Sequence, residues 1–466
     1  MTVGYHDVRK WDAEALNATA TDLGGRRDKL IGLQDELDDA RKLPDWRGPA
    51  GERARGSLGD TRNKAEILIA ELSAVERALQ NASDDVSALK TRVANNDSLA
   101  GTYQFSIAAD GAIVDGKPAD PPPKSRFEAE ERAESQRHRE TIRKQLEQET
   151  KAILTAATSI DAALARVMGL VQDGKISDHE ATDLAGAKKA GQIDAGVVEM
   201  EQALRDAGLL SGPPASGHYR QWLENAVRRG VSIDTIKKIA DEHDITPEDF
   251  KVLDGMEEIR EDEDGDGTYK SYFLMPTDIS GDDAAKAVRM TYILNAGTDY
   301  GTEGEKTDFA PTPYGSEELR RITDRQRKNS WSYDDDVGFV HGNGGRLVTT
   351  PNGMMMGLGG NLIQDQFSQQ GGTAWGDTFM LNIDDAKDPA QQLREVVKSG
   401  HAWYEDDDGA SQGSLDLDRL LHHEERHSQQ WAREGYAGFL ASYAWEQVTG
   451  GNETEEDAGL TDGGYH

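Results

Sequence analysis

Leucines recur at heptad spacing near the start of the chain, at Leu16, Leu23, Leu30 and Leu37, with Leu33 in the alternate position. After a break across residues 44–49 the pattern resumes as Ala65, Leu68, Leu72, Val75, Leu79, Ala82, Val86, Leu89 and Val93. Steps of three and four keep one apolar stripe on one helix face. Two such stripes joined by a short break predict an antiparallel helical hairpin over residues 1–100. Trp46, inside the break, reads as the large residue that closes the end of the hairpin.

Beyond residue 101 the period changes. Tyr103, Phe105 and Ile107 alternate with polar neighbours, Asp110-Gly111 is a turn, and Ile113 resumes the alternation, so a small β-hairpin is expected. Pro118 and the run Pro121-Pro122-Pro123 form a linker. Helical spacing returns over 126–171 through Ile142, Leu146, Ile153, Ala157, Ile160, Leu164, Val167 and Val171. This long helix is expected to extend the hairpin into a bundle, and it closes a second segment at 101–210. Residues 211–255 read as a connector of short helices. One spans 232–242, and another opens at Thr246-Pro247-Glu248-Asp249, a cap followed by proline at the first helical position. From 256 to 466 glycine, aromatic and β-branched residues rise, and runs at 272–274, 338–340, 346–349 and 378–383 read as strands. The expected fold class is α+β: an N-terminal antiparallel helical bundle, then a mixed α+β domain closed by helices.

Charge then narrows the function. With 86 acids against 52 bases the formal net charge is −34, a field that repels phosphate backbones and anionic lipid. Nucleic acid is not an expected partner. The one stretch resembling a helix-turn-helix, 236–250, carries Glu248 and Asp249 where a DNA reader needs basic residues. The chain has no cysteine, which excludes disulfides, thiolate metal sites and cysteine nucleophiles. No apolar run approaches the roughly 18 residues of a membrane span, and the first thirty residues lack a basic start followed by an apolar core. Neither a membrane span nor a general secretory signal is therefore expected.

The sharpest chemical feature is His423-Glu424-Glu425-Arg426-His427. Ser414 as N-cap, Asp416 and Asp418 in the first turn and Gly435 as stop place it on one helix over about 415–434. Histidines four apart leave a helix within about 40° of each other, so both imidazoles can reach one metal ion. Glu424, beside the first of them, is placed to take a proton from water at that metal. His422 points about 100° away and is expected at the surface or behind the site. A third ligand must come from elsewhere, and acidic residues follow at Glu446 and in Asn452-Glu453-Thr454-Glu455-Glu456-Asp457-Ala458. Tyr436, Arg433 and Tyr465 are candidates to stabilise a developing oxyanion, with aromatic packing the alternative.

Other motifs carry less. Asp262, Asp264, Asp266 and Gly267 begin like a calcium loop, but Phe273 stands where the bidentate acid belongs, so a polar turn is expected. The glycine-dense stretch 340–382 lacks the register of a phosphate-binding loop and reads as tight turns between strands. Its alternative role is a wall beside the metal cleft, with Trp375 and Met354 to Met356 facing substrate. His341 reads as structural.

Two resemblances follow from these residues. The helix, the Trp46-x-Gly48 turn and the second helix resemble the WXG-type hairpins of actinobacterial type VII secretion substrates. This implies a secreted or cell-surface protein, cytoplasmic before export by a route without a signal peptide, with a small WXG-type helical partner or secretion chaperone. The Tyr-x-x-x-acid export motif of that family is Val93-Ala94-Asn95-Asn96-Asp97 here, without the tyrosine, so the export signal is expected from a partner chain. Residues 413–464 resemble gluzincin-like metallopeptidases, in which a second helix returns a glutamate to the HExxH helix within a Glu-x-Asp-Ala context. That resemblance implies a zincin-like helix pair, Zn2+ held by His423, His427 and Glu455, Glu424 as catalytic base, and a protein or peptide substrate. Glu446 is the alternative third ligand. The family keeps the two residues inside the motif uncharged, whereas Glu425 and Arg426 are charged here. The rival expectation is a non-enzymatic interaction protein of the secretion system with a degenerate site.

Overall fold

Gly48, with a left-handed φ of 87°, and Pro49 at the first helical position start a 54-residue helix. Proline costs nothing there, because the first-turn N–H groups have no helical acceptor. The computed structural model describes residues 3–33, 36, 39, 48–118, 122–179, 181, 183–262, 269–297, 313–359, 372–383, 387–406, 409–449, 453–460 and 462–463. Leu37, Pro44, Trp46 and most of the calcium-like loop lie outside them. Contacts divide the chain into two units, Met1–Gln202 and Ala203–His466.

In the first unit α1 (Tyr5–Lys10) and α2 (Ala13–Ile31) lie along α3 (Pro49–Thr102), and α4 (Arg126–Gln172) lies on its other side. The pairings run in opposite directions. Ser83 Oγ donates to Ala13 O at 2.8 Å, and buried Arg27 pairs with Glu76. On the α4 side Asn96 donates to Thr150 at 2.9 Å, while Ala70 clusters with Val167. The expected apolar stripe holds from Leu79 to Val93, but Leu68 is 43% exposed. Upstream the buried positions become Ile69, Ala70 and Ala74, because this half of α3 faces two neighbours. Ile69 packs with Leu30 and Leu184, while Ala70 and Ala74 pack with Val167 and Val198. α5 (Leu184–Asp206) approaches so closely that a Cβ on Gly191 would sit 1.9 Å from Ala70 O. The hairpin forms as expected, β1 (Phe105–Ile107) antiparallel to β2 (Ile113–Asp115). One expectation is corrected: α4 is long and apolar enough, by length and composition, to cross a membrane, with an 18-residue window of mean hydropathy 1.4. Asp161 and Arg166 stand in that half of the helix, and Arg166 pairs with Glu201.

In the second unit a six-stranded sheet runs β3 (Glu257–Asp262), β4 (Tyr269–Leu274), β5 (Arg346–Thr349), β6 (Met355–Leu358), β8 (Thr378–Leu381), β7 (Gly372–Trp375), with only the β6–β8 pair parallel. The fold is α+β. Alternate side chains point to opposite faces. Val348, Met354, Met356, Phe379 and Leu381 therefore pack under α11 (Pro389–Ser399) and the start of α12 (Leu417–Thr449). Leu347, Met355 and Met380 pack against α8 (Gly281–Leu294) and Val337 and Val340. Both faces are covered, so Met354 to Met356 are core and not a cleft wall. The helices α6 (Gly217–Arg228) and α7 (Ile233–Glu242) belong to this unit, and Trp222 Nε1 donates to Tyr314 Oη at 2.9 Å.

Two local expectations change. The helix expected at Thr246 is a 3-10 turn, Asp249–Leu253, with Asp249 accepting from Thr246 N at 2.9 Å. The strand expected at 338–340 is helix α10 (Val337–Gly342), entered through a π turn, Ser332–Asp336, after α9 (Ser316–Lys328). Period two and period 3.6 cannot be told apart over three residues. Phe273 is wholly buried on β4, where it can ligate nothing.

Candidate metal centre

Strands β9 (His401–Asp406) and β10 (Gly409–Asp416) form a hairpin that leads directly into α12. The cap is Asp416 and not Ser414, which lies in β10: Asp416 Oδ1 accepts from the N–H groups of Asp418 at 2.8 Å and Arg419 at 3.3 Å. Leu417, Leu420 and Leu421 anchor the first turns to the sheet. The expected stop at Gly435 is a break (φ 73°, ψ 165°) inside a longer helical run. That backbone region is essentially confined to glycine.

The two imidazoles meet as their spacing requires. His423 Nε2 and His427 Nε2 are 3.1 Å apart, and Glu455 Oε2 lies 3.4 Å from the first and 3.3 Å from the second. Tetrahedral ligands at zinc-like bond lengths of about 2.05 Å are separated by about 3.3 Å, so the triangle has the size of one face of such a shell. His423, His427 and Glu455 are a group able to hold a metal ion.

The surrounding hydrogen bonds fix the tautomers. His423 Nδ1 lies 3.0 Å from both Ala458 O and Gly459 O. Carbonyls only accept, so Nδ1 carries the proton and Nε2 presents a lone pair. His427 Nδ1 lies 2.9 Å from Gln430 Oε1, and Gln430 Nε2 donates to Thr454 O at 2.9 Å and Asp457 Oδ2 at 3.0 Å. The amide is thereby oriented, and His427 Nδ1 also donates. Glu455 Oε2 is buried and takes no hydrogen bond. Three lone-pair donors thus converge at mutual distances of 3.1–3.4 Å. With both imidazoles neutral and the carboxylate charged, that arrangement is repulsive unless a cation lies between them.

Electrostatics separate the two glutamates. Burial opposes the Glu455 charge, but His423 and His427, where they carry the positive charge that a bound cation would otherwise supply, outweigh it and hold the carboxyl well below the usual carboxylate range. Burial pushes Glu424 up to about 7, with the Glu455 charge adding to the shift and His423 opposing it. Glu424 Oε2 is buried with no hydrogen-bond partner. Tyr404, on β9, lies within its field: burial and then the Glu424 charge raise the phenol.

The charged interior of the motif is paired, with Glu425 buried and Arg426 partly exposed. Arg426 meets Asp457 at 3.0 Å and so docks α13 (Glu453–Ala458), the element that carries Glu455. Arg419 grips Asp462 at 3.0 Å beyond it. Glu425, 1% exposed, pairs with Arg321 and Arg325 of α9. Arg325 also lies 3.2 Å from Asp377, which accepts from Asn329 at 2.8 Å and Tyr333 at 3.0 Å. Salt bridges across 31 to 104 residues of chain have no local periodicity, so sequence reading missed Arg321, Arg325 and Asp377. His422 is buried behind the site, 3.9 Å from Asp462, and burial lowers its pKa. Arg433 is engaged with Glu434 at 3.1 Å, and Tyr436 packs among aromatic rings. Tyr465 and the Glu446 side chain lie outside the described residues.

No protein-family model, curated protein or solved structure matches this chain.

Proposed function

We propose that the second unit is a zinc-dependent hydrolase, a metallopeptidase-like enzyme acting on protein or peptide, with His423, His427 and Glu455 as ligands. The observation that carries this reading is the convergence of three lone-pair donors whose tautomers are fixed by Ala458, Gly459 and Gln430. Two imidazoles and one carboxylate suit zinc and leave a fourth position open. When bound, zinc supplies Lewis acidity, which acidifies water and polarises a carbonyl. Glu424 takes the proton from the attacking water on its Oε2, which has no hydrogen-bond partner, and returns it to the leaving amine. Tyr404 is the donor we assign to the developing oxyanion. Arg426, Gln430 and Asp457 hold the third ligand in place, so a charged motif interior is compatible with a working site.

The first unit fits the export half of the same reading. Antiparallel α2 and α3, with Gly48 and Pro49 at the entry to the second helix, support a WXG-type bundle with a helical partner or secretion chaperone. On this reading the protein is secreted or surface-exposed after export, and α12 and α13 form a zincin-like helix pair.

Zinc per chain in the purified protein tests the site. One equivalent is expected, lost in His427→Ala and Glu455→Ala, while Glu424→Gln keeps zinc and loses peptide cleavage. A wild-type chain that takes up no zinc overturns the enzyme reading in favour of a non-enzymatic interaction protein with a degenerate site.

A further inference from the structure

Trp431 continues the row begun by the two imidazoles. His423, His427 and Trp431 are spaced i, i+4, i+8, an advance of only about 80° over two turns, so the indole stands one turn beyond His427 on the ligand side of α12. It is 2% exposed, and its Nε1 donates to Ala374 O of edge strand β7 at 3.1 Å. Phe439 stacks on it with centroids 4.1 Å apart, and three further rings pack around it, at 5.0 Å for Trp375, 5.5 Å for Trp331 and 5.9 Å for Tyr436. These three stand nearly at right angles to one another: 86° for Trp331 and Trp375, 85° for Trp331 and Tyr436, and 83° for Trp375 and Tyr436.

The cluster is not closed. Trp331 and Trp375 are half-buried and Tyr436 is 47% exposed. The rings come from three separate places: the residue before the π turn Ser332–Asp336, strand β7, and the residue just past the Gly435 break. Edge-to-face packing fixes ring orientation, so the exposed faces form a rigid corner. A sugar ring favours a flat aromatic platform. A corner instead encloses a compact apolar group from two sides. Aromatic surface left in water beside a chemical centre marks a binding site for such a group.

We infer that this corner is the side-chain subsite of the metal centre, receiving a large apolar or aromatic residue of a peptide next to the bond that is cut. The inference rests on the hydrolase reading above, from which it takes the class of substrate. Trp331, Trp375 and Tyr436 select the side chain, and Trp431 supports them from below.

Zinc-loaded full-length protein is titrated with the hydroxamates of phenylalanine, glycine and lysine, followed by calorimetry and by intrinsic tryptophan fluorescence. Phenylalanine hydroxamate is expected to bind about tenfold or more tightly than glycine hydroxamate, the gain of partly burying a benzyl group. It should also change the fluorescence, which glycine hydroxamate should not. The advantage should disappear in Tyr436→Ala and Trp375→Ala with zinc content unchanged. Tyr436 is exposed, so its variant tests the idea even where the Trp375 variant folds poorly. Equal affinity for phenylalanine and glycine hydroxamates overturns the subsite and leaves the metal centre standing. Lysine hydroxamate binding as tightly as phenylalanine hydroxamate overturns its apolar character. Failure to load zinc overturns the metal reading and this inference with it.

Discussion

Arg325 is the buried cation on which the back of the metal helix depends. It is 3% exposed, paired with Glu425, 3.2 Å from Asp377, and donates to Gly353 O. Burial works against its charge, and Asp377 and then Glu425 outweigh burial, so its pKa is raised. Arg325→Met keeps most of the volume and removes the charge, leaving carboxylates that are 1% and 0% exposed without their shared partner. Breaking a buried pair in this way costs about 3–5 kcal/mol. Glu425 keeps Arg321, and Asp377 keeps Asn329 and Tyr333, so the lower end, about 3 kcal/mol, applies. At about 2–4 °C per kcal/mol for a domain of this size, Tm should fall by about 6–12 °C. Circular dichroism melts of chelator-treated protein read this without a contribution from metal binding. The double variant Arg325→Met, Glu425→Met should recover part of the loss, since replacing both charges removes one stranded group. A single variant melting within about 1 °C of wild type would refute the account of a helix fixed by its buried ion pairs.

Further outcomes follow from single sites. Asp336, 7% exposed, has its carboxyl pushed up to about 8, chiefly by burial and further by Asp335, against a hydrogen bond from Thr378. The unfolded value is about 3.9, so the folded state holds the extra proton between about pH 4 and 8, and stability falls as pH rises through that window. Asp336→Asn should therefore melt above wild type by a margin that is absent below pH 4 and largest above pH 8; a pH-independent margin contradicts it. Gly435→Ala places a Cβ at φ 73°, ψ 165° and should cost about 1–3 kcal/mol in urea unfolding. Free zinc at a hundred times its Kd should stabilise wild type by about 2.7 kcal/mol and leave Glu455→Ala unmoved in the same melt.

The metal pair was legible because a helix turns local spacing into geometry. Residues 423 and 427 had to share a face, and their imidazoles do meet. The β-hairpin at 105–115 was readable from its period-two alternation and turn, and the break at 435 from the glycine that ends a helical pattern. Short-range rules failed where two elements compete for one stretch. Leu68 kept heptad register yet faces solvent, because α3 packs on both sides, and 338–340 alternated like a strand yet forms a helix. Glu455 came from resemblance alone and takes its place through Arg426, Gln430 and the carbonyls of Ala458 and Gly459.

The sequence by itself determined the α+β class, the helix that carries the two histidines, and the identity of the candidate base. Only the tertiary structure decided that Glu425 is buried in ion pairs and Arg426 is held in one, that Met354 to Met356 are core, and that three aromatic rings pack around Trp431, one turn past His427. The physical reason is range. Periodicity records which face a residue takes on its own element, whereas the partner that neutralises a charge or stacks on a ring comes from another element, 31 to 104 residues away in the case of the motif's own charges.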